Sequence, residues 1–300
     1  MLSTLLLSSS FLFSPTASAI PQDPPVEEAE VDAEMEKVKA GEAAAQIKEA
    51  LKGKEEIVMV ATLETLGQVK SKLVTKEVSK ALKIKKEAVQ FAAIQALRFN
   101  EDPSALDYLL KVRKEKSIQE NVKTAVEYAY ALGQKGDRKA IPALEDNLVA
   151  TSKTPKEVIN AKILALGHIR HRDSVEAVLD FAKTTVGGIR RGGSNKKVSR
   201  EVRGALSILT GTDQGESLSA WEDWWYDHRS KFKMSKVEGE LDDERAQRTW
   251  TKLWMTPTEK EEAKADAEQE KADGKAKRKK DAEAKKDAAN DKDVDGDDDF

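Results

Sequence analysis

AYALGQKGDRKAIPALEDNL, residues 129–148, decides the fold. Tyr130, Ala131 and Leu132 close one apolar helical face. Gly133 and Gly136 can take the left-handed conformation that ends a helix, and Asp137 can cap the next one. That second helix carries Ile141, Ala143, Leu144 and Leu148 at core spacing, with Pro142 in its first turn, where a missing N–H costs little. Two short helices joined this way cannot bury their own apolar stripes, so they need neighbours of the same shape.

The neighbours are in the chain. Aligning on the residue that closes each second helix gives Leu66, Leu97, Leu132, Leu166 and Leu209, spaced 31, 35, 34 and 43 residues apart. One residue before the first four stand Thr65, Ala96, Ala131 and Ala165; one residue after stand Gly67, Arg98, Gly133 and Gly167, so Arg98 breaks a glycine pattern. Leu106, Ile141 and Val175 each open the following helix nine residues after the preceding anchor leucine. Small residues one turn apart permit close helix approach, and the pattern predicts an all-α stack of about five helical pairs.

ALGQKGDRKAIPAL, VQFAAIQAL and VINAKILALG resemble the signature of short bacterial HEAT-like repeats, over roughly 42–211. The period is shorter than the ~40–47 residues of longer HEAT and armadillo units. A tetratricopeptide array has a similar period, but its Leu-Gly pair sits in the first helix of each unit, whereas here it ends the second. The resemblance implies a right-handed α-solenoid, whose second helices line a concave face that holds proteins or peptides. Two residues before each anchor, Glu64, Gln95, Tyr130, Leu164 and Ser207 would form a ladder along that face.

Flanking segments read differently. Residues 1–19, MLSTLLLSSSFLFSPTASA, combine an apolar run with a small-x-small cleavage site at Ala17-Ser18-Ala19, the pattern of a signal peptide, although the segment carries no Lys or Arg. The expectation is export to a periplasmic or extracellular compartment after cleavage near Ala19, without stable membrane insertion. Residues 20–36 hold seven acids and no base, an acidic disordered leader. The solenoid with its capping helix is expected over 37–235, where LTG and then Trp221, Trp224 and Trp225 resemble the closing segment of some exported HEAT-like proteins. Residues 236–258 read as a short amphipathic helix with Trp250 and Trp254, packing on the array or facing a partner. Residues 259–300 read as a disordered charged tail.

Chemistry is sparse. The sequence has no Cys, which excludes disulfides and zinc–thiolate sites. D-x-D-x-D-G at Asp291–Gly296 matches half a calcium loop, but position twelve falls past the last residue, so it reads as acidic tail. His168 and His171, three apart with Asp173 nearby, have arginines interleaved and read as a polar turn. No nucleophile–base pair and no phosphate-binding loop stand out, so neither enzyme nor cofactor is expected.

Charge is more informative. The net charge of −3 divides into −7 over 20–36, −6 over 236–300 and +10 for the array between them. Within the array, VGGIRRGGSNKKVSREVR (186–203) sets Arg190, Arg191, Lys196, Lys197, Arg200 and Arg203 in a glycine-rich insertion, a candidate anion- or partner-binding loop. Two functions follow: a non-enzymatic exported scaffold holding an unidentified protein on its concave face, acidic if the array's positive charge selects it, or a polyanion or nucleic-acid binder using the basic loop. Export makes nucleic acid the less natural partner.

Overall fold

The computed structural model describes residues 26–148, 153–187 and 197–290. Among them the helices are α1 (Val26–Lys52), α2 (Glu56–Leu66), α3 (Lys72–Ala81), α4 (Glu87–Phe99), α5 (Ser104–Lys111), α6 (Lys116–Gln119), α7 (Val122–Gln134), α8 (Ile141–Glu145), α9 (Lys156–His168), α10 (Arg172–Gly187), α11 (Arg200–Thr210), α12 (Leu218–His228), α13 (Glu244–Trp254) and α14 (Pro257–Asn290). The protein is an all-α solenoid. Second helices α2, α4, α7, α9 and α11 stack in sequence order into one layer, and α3, α5, α8 and α10 pack beside them as the first-helix layer.

The deciding stretch folds as its residues dictate. Gly136 has a φ of +62°, a turn conformation costly for other residues. Asp137 accepts the Lys139 N–H at 2.8 Å and opens a short 3-10 turn that runs into α8. Pro142 sits in the first turn of α8. Gly133 corrects the sequence reading: it is helical, inside α7, and does not end the helix by turning left-handed. Its role is close approach. A Cβ at Gly133 would lie 2.9 Å from that of Ala165, one at Gly167 2.8 Å from that of Ala205, and one at Gly67 2.5 Å from that of Ala96. The Gly of one unit therefore seats the Ala of the next, a contact that brings successive second helices together.

Anchor leucines Leu97, Leu132, Leu166 and Leu209 are buried in one continuous core, while Leu66 packs against it half-buried. Polar ties lock the repeats in register. The buried Asn100 amide donates to the carbonyls of Gly67 and Val69 at 2.9 and 2.8 Å, and its oxygen accepts from the Asp102 N–H. Arg113 reaches one repeat forward to Asp146 and to the Pro142 carbonyl. The pairing holds Asp146 below the usual carboxylate range.

Helix α12 follows the last repeat and packs against α10. Trp221 and Trp225, four apart, are the buried pair, and the Trp221 indole donates to the Gly215 carbonyl at 2.9 Å. Trp224 is half-buried and stacks on His228 at 4.6 Å. Trp221 and Trp225 join the core that runs through the array, with Trp224 packed against it.

Both charged arms differ from expectation. Residues 26–36, read as part of a disordered leader, are helical within α1, and residues 259–290, read as disordered tail, are helical within α14. Ala, Glu and Lys are strong helix formers, so helix needs no core to form here. Thr256 and Glu259 make a reciprocal capping box: the Thr256 N–H reaches Glu259 at 2.6 Å and the Glu259 N–H reaches the Thr256 hydroxyl at 3.2 Å. From Thr258 to Lys275 every side chain of α14 is exposed, in keeping with its lack of large apolar residues.

Candidate functional site on the second-helix face

The segment after the capping helix returns across the array. From Ser235 it runs back over α11, then α9, then α7, and ends at α4. The Arg170 guanidinium donates to the carbonyls of Ser235 at 3.0 Å and Val237 at 2.8 Å, and to that of Ile208 at 3.2 Å. The Gly239 N–H donates to the Ile208 carbonyl at 3.0 Å. A side chain at Gly239 would meet the Ser207 carbonyl at 2.7 Å, so only glycine lets the backbone lie this close.

Asp243 then caps α13, accepting the Ala246 N–H at 2.6 Å. On α13, Trp250 and Trp254 share one face and are 5% and 7% exposed, so this segment packs on the array. Each indole enters a glycine position. Trp254 reaches Gly133, where a Cβ would stand 2.9 Å from the ring, and Trp250 reaches Gly167, at 3.1 Å. His168 stacks on Trp254 at 4.0 Å with the rings within 6° of parallel, and Tyr130 meets Trp254 edge-on at 5.9 Å. Gln134 donates to the Trp254 carbonyl at 3.1 Å.

Arg98, the residue that breaks the glycine pattern, closes the far end. It is 5% exposed, pairs with the buried Glu127 at 3.2 Å, and donates to the Leu253 carbonyl. Its guanidinium also lies 5.3 Å from the Tyr130 ring centre and 5.7 Å from that of Trp254. The repeat position after the anchor leucine thus reads Arg98, Gly133, Gly167, and each of the three touches the returning strap.

The expected ladder follows this face unevenly. Glu64 is exposed and lies outside these strap contacts. Gln95, Tyr130 and Leu164 are half-buried, Tyr130 against Trp254, and Ser207 is buried with its carbonyl against Gly239. Residues decisive for the seat that the ladder misses are Arg98, Gly133, Gln134, Gly167 and His168. The sequence signals at these positions were the glycine column at Gly133 and Gly167 and its break at Arg98; Gln134 and His168 carried none that pointed to the strap.

Of the basic-loop candidates, Arg190, Arg191 and Lys196 lie outside the described residues. Lys197 pairs with Glu216 at 2.6 Å, and Arg203 makes a two-pronged pair with Asp213 at 2.5–2.9 Å. That pair holds Asp213 below the carboxylate range. Arg200 is 91% exposed, 3.9 Å from Glu201. Two of the three described cations are therefore engaged with acids of the chain itself. The calcium-like run at 291–296 also lies outside the described residues. His168 and His171 face different partners, Glu238 at 2.9 Å and Asp173 at 3.3 Å, and no metal-ligating cluster occurs among the described residues.

Glu238 ties the strap to α9. His168 beside it, the Trp250 indole N–H donating at 3.2 Å, and the Arg170 charge hold its carboxyl below the ordinary range against the opposing effect of burial. A carboxyl lowered in the folded state stabilises above its unfolded pKa, and that contribution is lost as pH falls through the lower folded value. Acidification below the usual carboxylate range should loosen the strap, read as a change in tryptophan emission. Glu238→Gln should flatten that acid limb; an unchanged limb in the variant would assign it to other carboxylates.

Truncation separates strap from tail. Ending the chain after Thr256 should leave the melting temperature nearly unchanged. Ending it after Ser235 should lower it by several degrees while most helicity persists. Equal melting for both products would remove the strap from the packed structure.

A family model for HEAT repeats matches residues 44–130. The match, with the stacked second-helix layer, supports a HEAT-like repeat protein. No curated protein matches the chain. Among the described residues, no helix is long and apolar enough to cross a membrane.

Proposed function

We propose that this protein is an exported, non-enzymatic scaffold that holds a protein partner on its second-helix face. One observation carries the reading: side chains from three successive repeats already grip a peptide segment there, through its main-chain carbonyls as much as its side chains. HEAT arrays commonly serve as interaction scaffolds, and this face has the chemistry of such a surface. Export rests on the signal-like residues 1–19, and N-terminal sequencing of secreted material should begin at Ile20.

Site-specific photo-cross-linking tests the reading. A cross-linker at Tyr130 should capture a defined partner from the exported fraction, whereas one at Tyr226, exposed on the far cap, should not. Capture from both positions alike would contradict it. The polyanion alternative is separated by salt: contacts to several phosphates lose affinity steeply as salt rises.

A further inference from the structure

The strap's seat has a definite chemistry, and it is imperfectly filled. Two adjacent glycine positions, Gly133 and Gly167, receive two aromatic rings four residues apart on one helix. Arg98, Gln134 and Arg170 bind backbone carbonyls, contacts indifferent to the side chains of the segment that supplies them. Meanwhile Arg98 Nε, Gln134 Oε1 and Trp254 Nε1 are buried with no hydrogen-bond partner. Buried polar atoms are nearly always satisfied, and three orphans around one peptide segment mark it as an incomplete match to its seat. Other such atoms among the described residues belong to Gln119, Thr124 and Ser174, away from the strap contacts.

We propose that the seat is a receptor for an amphipathic helix of another protein carrying two large aromatic residues four positions apart, and that residues 235–256 are its tethered stand-in. This rests on the scaffold reading and specifies the partner. The incoming helix would lay its aromatics on Gly133 and Gly167, place its last carbonyls at Arg98 and Gln134, and offer polar groups to the atoms the strap leaves unpaired. The strap competes because it is tethered: a short linker gives an effective concentration on the order of mM. It therefore screens out weak binders and yields to a partner that satisfies the seat better.

The test uses the full chain and a labelled peptide of residues 241–256 as probe. The peptide should bind the W250A/W254A chain, whose own strap is released, at least about tenfold more tightly than the wild type, where the strap competes. Binding should vanish when both peptide tryptophans are Ala, drop when they are respaced three apart, and weaken on Tyr130→Ala in the chain. If the doubly substituted chain does not fold, hydrogen exchange on the wild type decides: excess peptide should speed exchange of the resident strap's amides. Equal binding to both chains, no binding to either with unaltered strap exchange, or exchange of straps between two copies to give a dimer would each overturn the proposal. Partner capture at Tyr130 with no binding of this peptide would leave the scaffold reading standing and remove only the aromatic-helix specificity.

Discussion

Arg98→Ala is expected to cost about 3–5 kcal/mol of stability, because it strands the buried Glu127 carboxylate without its partner. Arg98 also closes the strap by donating to the Leu253 carbonyl, so strap release should accompany the loss. Chemical denaturation followed by helicity measures the first effect, and tryptophan emission the second. The pair R98M/E127L separates charge from packing. Replacing both partners of a buried ion pair with apolar residues of similar size is often neutral, so the double variant should recover most of the stability. It should not recover the strap, because methionine cannot donate to a carbonyl. A single variant as stable as the wild type would show that the pair is solvated and the end of the strap held some other way.

Trp221→Ala should cost a similar amount, about 3–5 kcal/mol, because the ring is 1% exposed at the end of the array. The loss combines removed apolar burial with a cavity the rigid repeats fill only in part, and it strands the Gly215 carbonyl that accepts from the indole. Damage should concentrate in α10, α11 and α12, since each repeat leans chiefly on its neighbours. Hydrogen exchange should rise there first, while α2 and α4 stay protected. Trp224→Ala is the internal control. That ring is half-buried on His228, so its removal should cost clearly less.

The repeat was legible because it is a local pattern written several times. Anchor leucines, the Asp137 cap and the Pro142 turn are properties of short windows, and the array assembles from them directly. The meaning of the glycines was not legible in that way. Gly133 looks like a helix terminator in its own window; its partner Ala165 lies one repeat away, and only the stacked pair shows why no side chain fits. Likewise Trp221, Trp224 and Trp225 share a helical face, and which two turn inward depends on where α10 sits.

The strap was half legible. Trp250 and Trp254 announce an amphipathic helix, but their seats at Gly167 and Gly133 lie some 80 to 120 residues upstream, beyond the reach of periodicity. Arg98 is the instructive case. It reads as a blemish in the glycine column, and it is the residue that clamps the carbonyl end of the segment crossing that column. In the basic loop, what a local window leaves out is that Lys197 and Arg203 pair with Glu216 and Asp213, acids 19 and 10 residues further along.

On the proposal above, α13 is a separable occupant of a face that stands without it. Hydrogen exchange of the intact protein in low denaturant tests this directly. Amides of Gln247–Trp254 should exchange through a local opening, faster than those of α4, α7 and α9 and with little dependence on denaturant. If those amides instead share the protection and the denaturant dependence of α7 and α9, the strap is part of one cooperative core and the face beneath it is not a binding surface.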